Sequence, residues 1–320
     1  MKTRFMAWVV IAVFAAACDS PLDTNPTASI DAETALNTVR GIELGLNGAY
    51  EGLEDGALFD RDLLIYPDLY ADNLDFNGTF QTDRAVSLRN IPASSAVVAG
   101  PWASAYEGIN RANNVLAAIP NVSALSSELA SLYQGEARFI RALHYFVLVR
   151  WFTGVPIITE PSQGVGESAL VSRNTAAEVY TFIEQELEAA APLLPADRVD
   201  GRATRAAANA LLARVYLEEG KHALARDRAA SIISNTEYRL VPNYRDIWAS
   251  QNSDESIFEL QYSINNQNTL AFWFFPQAIG GRYGFAPSLG LFNAFEAGDT
   301  RRATTIALSG SNRYGAKYTR

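Results

Sequence analysis

Four large aromatics in a row, Phe272-Trp273-Phe274-Phe275, follow Asn265, Asn266, Gln267 and Asn268, and Arg282-Tyr283 comes shortly after. These residue types suit recognition of a pyranose. A flat ring faces the apolar side of the sugar, while amide or guanidinium groups bond its hydroxyls. Neighbours in an extended chain point to opposite faces, so read as extended the four rings cannot all enter one core. At least one is expected at the surface or over a groove, although loops could equally cover any single one. A second polar and aromatic stretch, Asp72-Asn73-Leu74-Asp75-Phe76-Asn77-Gly78-Thr79-Phe80, reads either as a ligand loop or as an ordinary turn. From the two stretches the candidate binding residues are Trp273, Phe275, Phe272, Asn268, Tyr283, Asp72, Asn73, Phe76 and Asn77.

No pattern of catalytic residues stands beside them. His144 and His222 are the two histidines, far apart, and they fit helix packing or a helix surface better than metal ligation or base catalysis. No His-Glu-x-x-His, Gly-x-Ser-x-Gly or phosphate loop occurs. Carboxylates are plentiful, Asp72 and Asp75 among them, but glycoside hydrolysis needs a pair held about 5 to 10 Å apart, and abundance does not supply that geometry. The expectation is a binding protein rather than an enzyme, with no cofactor and no metal site.

The amino terminus indicates the compartment. Lys2 and Arg4 precede an apolar run from Phe5 to Ala17, which closes on Ala15-Ala16-Ala17-Cys18. That is the pattern of a signal peptide over residues 1–17 with a lipobox-like end. A membrane-spanning helix needs about 18 or more apolar residues, and this run is shorter. Cys18 is the only cysteine, so neither a disulfide framework nor a cysteine-based metal site can form. Its expected role is to carry lipid, with acylation at the sulfur and at the new amino terminus supplying the second chain that stable anchoring requires. Loss of Lys2 and Arg4 moves the formal charge from -9 to -11. An acidic body argues against nucleic acid, whose binding is driven by clustered cations.

Residues 18–30, rich in Asp, Pro, Thr and Asn, read as a flexible tether, and residues 31–320 as the folded body. Over residues 31–235 the dominant signal is helical. A helix is expected from Ser127 to Phe152, with Leu132, Phe139, Leu143, Phe146 and Val147 on its apolar stripe and Gly154-Val155-Pro156 at its end. Thr175-Ala176-Ala177-Glu178 is a capping box that opens the next helix, striped by Val179, Phe182, Ile183 and Leu187 and closed by Pro192. Two further helices, Arg202 to Glu219 and His222 to Ser234, flank the turn at Gly220 and place Ala207, Ala210, Ala213, Ala225 and Ala229 for close contact. The pair resembles a tetratricopeptide unit, which must stack on neighbours to bury its face. Beyond residue 235 the texture changes to Tyr238, Tyr244 and Trp248, then a strand-like Ser256 to Tyr262 in which Phe258, Leu260 and Tyr262 alternate. Residues 236–320 otherwise form a loop-rich segment expected to carry the ligand site.

Several phrases, in this order, resemble the SusD/RagB family: Cys18-Asp19-Ser20-Pro21-Leu22-Asp23 with Pro26, then Tyr70-Ala71-Asp72-Asn73, then Trp102 to Asn113. The longest and most specific runs from Gly135 to Pro156, and Asn243 to Trp248, Asp254 to Gln261, Asp299-Thr300-Arg301-Arg302 and Lys317-Tyr318 follow. The resemblance implies a mainly α fold of tetratricopeptide-like helical pairs, a SusD-like α-α superhelix, with an irregular ligand-binding segment and few short strands. It places the Asp72 to Phe80 stretch near the ligand face. It also implies a surface-exposed, lipid-anchored protein of the outer membrane that binds oligosaccharides and delivers them to a TonB-dependent SusC-like transporter. A peptide ligand on the same scaffold, or a periplasmic helical-repeat adaptor, stays open. Family members usually continue with further helices packed back on the repeats, which this chain, stopping at Arg320, is expected to lack. Trp102 and the arginines from Arg138 to Arg150 read as structural, tying repeats together.

Overall fold

Most helices of the first half begin at a side chain able to hold a free backbone N–H. In the computed structural model, which describes residues 31–162 and 171–318, Asp31 caps α1 (Ala32–Ala35) and Thr38 caps α2 (Val39–Glu51). Next come α3 (Asp62–Tyr70), strand β1 (Leu74–Phe76) and α4 (Gln81–Ser87). Ser95 caps α5 (Ala96–Ala118), and Ser126 caps α6 (Ser127–Phe152), whose bounds are those expected from its periodicity. The Thr175–Glu178 capping box forms in both directions at the start of α7 (Ala176–Ala190). The expected signal peptide, Cys18 and the tether lie outside the described residues.

Helix α8 (Arg205–Glu218) starts three residues later than the sequence suggested, because Thr204 caps it and Arg202 is drawn to Glu136 instead. Gly220, at φ +74°, turns the chain into α9 (His222–Ile233). Ala207 and Ala225 are buried in this pair, and Ala210, Ala213 and Ala229 are half-buried. Helices α5 and α6, α6 and α7, α7 and α8, and α8 and α9 pack in succession, with α2 against α5 and α6. The main core runs through them and includes Ile42, Leu46, Ile140, Tyr145, Leu148, Val179, Ile183, Leu187, Leu212 and Val215. Each such side chain contributes about 1.5–3 kcal/mol by leaving water.

Buried charges are paired across helices. Glu136 accepts from the Tyr50 hydroxyl at 2.7 Å and from Arg202 at 3.0 Å. Glu186 of α7 holds Arg141 at 2.6 Å and Arg138 at 2.5 Å from α6, and Arg141 also donates to Asn113 of α5 at 2.7 Å. The arginines of α6 thus tie neighbouring helices together, and Trp102 packs among Tyr106 and Phe152.

The second half is made of short elements: α10 (Asp246–Ala249), α11 (Leu270–Phe274), β2 (Phe285–Pro287), α12 (Leu289–Ala294), α13 (Arg301–Thr305), β3 (Ile306–Ser309) and β4 (Asn312–Gly315). Strands β1 and β2 pair antiparallel, with Leu74 opposite Pro287 and Phe76 opposite Phe285, and β3 and β4 form a hairpin. A second core of Ile65, Tyr66, Leu69, Leu74, Val86, Val97, Leu270 and Phe285 lies beneath the first pairing.

Two expectations change. The alternation from Ser256 to Tyr262 does not make a strand, since among the described residues no strand pairs with it. The segment lies along the helices with Ile257, Phe258 and Leu260 all turned to the main core, and the Phe258 ring sits 5.1 Å from Phe139 and 6.4 Å from Tyr50. The Asp72 to Phe80 stretch is neither a free loop nor a simple turn, because its centre is β1. Among the described residues no helix is long and apolar enough to cross a membrane.

Candidate functional site

The β1–β2 pairing brings both candidate stretches to one place and opens a cleft of about 600 Å³ beside it, within the range of roughly 300–1,000 Å³ usual for ligand pockets. Helix α3 supplies Asp68 and the turn after it Asn73. The floor is Leu74 and Leu270, and the walls carry the rings of Tyr244, Phe274, Phe295 and Tyr318. Glu296, Asp299, Arg301 and Lys317 add charge at the rim.

These charges are unevenly neutralised. Arg301 holds Asp299 at 2.6 Å and keeps that carboxyl below its ordinary range. The Lys317 ammonium stands 5.2 Å over the Trp248 ring, and the Tyr318 ring meets the same indole edge-on at 5.7 Å. Burial raises the Tyr318 phenol above its ordinary value, so it stays a neutral donor. Asp68 receives only the Asn73 amide, at 2.9 Å, and Glu296 has no cation within salt-bridge distance among the described residues.

Helix α11 separates its aromatics, because successive helical side chains are rotated by about 100° rather than alternating. The run is therefore helical through Phe274 rather than extended, and one of its rings, Phe272, ends outward. Phe274 enters the cleft, Phe272 is 39% exposed, and Trp273 lies half-buried on a shelf against Phe80 at 6.1 Å and Phe285 at 6.0 Å. Two guanidiniums lie over the Trp273 ring, Arg61 at 4.5 Å and Arg282 at 5.2 Å. Phe76 joins the shelf through Phe285, 5.7 Å away.

The remaining candidates hold the backbone in shape. Asn268 accepts from the Leu270 N–H at 2.9 Å and starts α11. Phe275 packs edge-on to Tyr314 at 5.6 Å. Tyr283, at φ +55°, donates to the Arg313 carbonyl at 3.0 Å. The Asn77 N–H donates to the Gly284 carbonyl at 2.9 Å and clips the two stretches together. Asp72, at φ +64°, is exposed and paired with Arg89. Of the nine candidates only Asn73 lines the cleft. Tyr244, Phe295, Glu296 and Tyr318 were not singled out as ligand residues, since single aromatics and acids in irregular chain have no periodicity. Tyr244 and Tyr318 fall in the family-like phrases Asn243 to Trp248 and Lys317-Tyr318, whereas Phe295 and Glu296 fall in none of them.

His144 is fully buried and His222 is exposed at the start of α9. Among the described residues no group of three His, Cys, Asp or Glu is placed to hold a metal ion.

A SusD-like family profile, described as starch-binding associating with outer membrane, matches residues 22–217. The chain belongs to the SusD-like family. SusD-like protein P2 of Formosa agariphila is 26% identical over 99% of this chain and 67% of its own length. A SusD-like protein of Bacteroides ovatus is 27% identical over 97% of this chain and 61% of its own. The chain thus spans about two thirds, or somewhat less, of these relatives. Among solved structures, a laminarin binding SusD-like protein superposes with a TM-score of 0.79 at 23% identity, covering 89% of this chain and 73% of the other. The mainly helical SusD-like fold is therefore that of the family.

Proposed function

We propose that this SusD-like chain is a glycan-binding lipoprotein of the outer membrane that captures oligosaccharides and passes them to a TonB-dependent SusC-like transporter. The observation that carries the reading is the cleft beside β1–β2, where Tyr244, Phe274, Phe295 and Tyr318 converge with Asp68, Asn73 and Glu296. Rings for the apolar face of a sugar and groups for its hydroxyls meet there in one opening. The family description of starch binding and the laminarin binding of a structural relative support it. In this reading residues 1–17 are removed, Cys18 carries the lipid, residues 18–30 form the tether, and the body binds without catalysing. Phe272 and Trp273 extend the site onto the shelf, while Asn77, Tyr283 and Phe275 shape its backbone.

Calorimetric titration of the mature chain with starch and laminarin oligosaccharides tests the reading. Binding is expected, and Tyr318→Ala should lose about 1 kcal/mol of stacking, a factor of roughly five to ten in affinity. Trp273→Ala should weaken binding with it, and a melting curve on each variant separates lost contact from lost fold. Peptides binding where no oligosaccharide does would overturn the proposal. Recovery of Cys18→Ser in the membrane fraction after a carbonate wash would overturn the lipid anchor.

A further inference from the structure

We propose that the shelf beside the cleft is a subsite for an anionic sugar unit, a uronate carboxylate or a sulfate ester, recognised by Arg282 and Arg84. The proposal rests on the glycan-binding reading above and adds the charge class of one unit.

Arg282 is exposed and spreads over two rings, 4.6 Å from the Phe80 centroid and 5.2 Å from that of Trp273. Arg61, also over Trp273, is already matched by Asp62 at 3.0 Å and Asp83 at 2.9 Å. Arg282 has no such match, and among the described residues no carboxylate lies within 4.0 Å of its guanidinium. The same holds for Arg84, exposed one turn along α4 from Phe80 and 5.7 Å over the Phe76 ring. Two uncompensated guanidiniums therefore border one aromatic surface on a chain of net charge -9. A guanidinium stacked on a ring keeps its N–H fork free at the edge, which is the geometry that grips a carboxylate or sulfate through two bonds.

The loop that delivers Arg282 is built for the purpose. A Cβ on Gly281 would stand 2.0 Å from the Phe275 carbonyl oxygen, so only glycine lets the chain fold back this closely on α11. Arg282 N–H then donates to Phe272 O at 2.7 Å, Tyr283 N–H to Phe275 O at 2.9 Å, and Gly284 N–H to Trp273 O at 2.9 Å. Tyr283 takes the left-handed conformation, φ +55°, which a side-chain-bearing residue adopts only where its surroundings impose it. Phe272 and Phe80, 39% and 43% exposed, leave apolar edges for the sugar ring itself. The neighbouring cleft leans the other way, because Asp68 and Glu296 are both uncompensated there while Arg301 is held by Asp299, which leaves Lys317 as its one cation without a carboxylate partner among the described residues. An anionic unit is thus repelled from the cleft and held on the shelf.

Calorimetry of the mature chain with galacturonate and alginate tetramers, their neutral methyl esters and a sulfated galactan tetramer tests this, with a neutral laminarin tetramer as reference. At least one anionic tetramer should bind about tenfold more tightly than its uncharged form, with the preference shrinking as salt is raised. Arg282→Gln should remove the preference without lowering the melting temperature, and Arg84→Gln should reduce it, with the laminarin affinity falling by a smaller factor than the anionic affinity in both. A sulfated tetramer favoured over both uronates would assign the sulfate source, and the reverse order the carboxylate. Laminarin binding with no preference for any anionic tetramer, or a preference that survives Arg282→Gln, would overturn the shelf and leave the glycan reading standing. Binding of no oligosaccharide at all would overturn both.

Discussion

Acidification should weaken this fold through His144. Its imidazole is fully buried on α6, neither ring nitrogen has a hydrogen-bond partner among the described residues, and Nε2 lies 2.1 Å from where a Cβ on Gly108 would stand. The ring therefore packs directly on the backbone of α5. Burial, reinforced by the charge of Arg111, pushes its pKa from 6.5 down to about 3. A histidine depressed in this way contributes stability that is present above 6.5 and lost as the pH falls toward 3, because the unfolded chain takes up a proton that the folded chain refuses. Between pH 7 and pH 5 the loss from this one group is about 2 kcal/mol, at about 1.36 kcal/mol for each pH unit below the unfolded value. Urea unfolding of the wild type and of His144→Met at both pH values isolates it, since methionine fills a similar volume and does not titrate. The wild type should lose about 2 kcal/mol more than the variant over that interval. Equal losses in the two proteins would show that His144 is not the acid-sensitive group and would refute the reasoning.

Two further outcomes follow from the shelf. Burial raises the Asp62 carboxyl to about 6 despite Arg61 at 3.0 Å, so its contribution to stability is present below the ordinary value of 3.8 and lost as the pH rises through 6. Asp62→Asn should therefore melt higher relative to the wild type at pH 7.5 than at pH 4.5, by an amount on the order of 2 kcal/mol or less once the lost ion pair is counted, and calorimetric scans at the two pH values would expose a reversed sign. Gly281→Ala must shift either its own loop or the Phe275 carbonyl. It should cost about 1–3 kcal/mol of stability, read from a denaturation midpoint, and it should weaken binding of anionic tetramers through displacement of Arg282.

What could be read from the chain divides along the way each part is specified. Helix α6 and the capping box at Thr175 are encoded by neighbours three and four residues apart, so their bounds follow from local spacing alone. Strand β1 is three residues long and exists because Phe285–Pro287 comes alongside it from the far end of the chain. No local period announces such a pairing. The segment Ser256 to Tyr262 errs in the opposite way: its alternation is real, but a strand needs a partner and the helices offered a surface instead. The rings of the aromatic run sort by helical rotation rather than by alternation, and Phe274 rather than Trp273 reaches the cleft.

That division bears on how the family scaffold is used. The helical pairs stack to bury one another's faces and present a shape-stable support, whereas every wall of the cleft comes from short elements between Leu64 and Leu74 or from Tyr244 onward. The cleft therefore exists only while β1 and β2 are joined, and its chemistry can change by substitution in segments that carry little of the main core. Loops on a rigid frame are where recognition varies at least cost to the fold. On that argument differences in ligand between SusD-like chains should concentrate in the stretches equivalent to Asp72–Phe80 and Asn243–Tyr318, and exchanging those stretches between two relatives should carry ligand preference with them while leaving the helical melting transition in place.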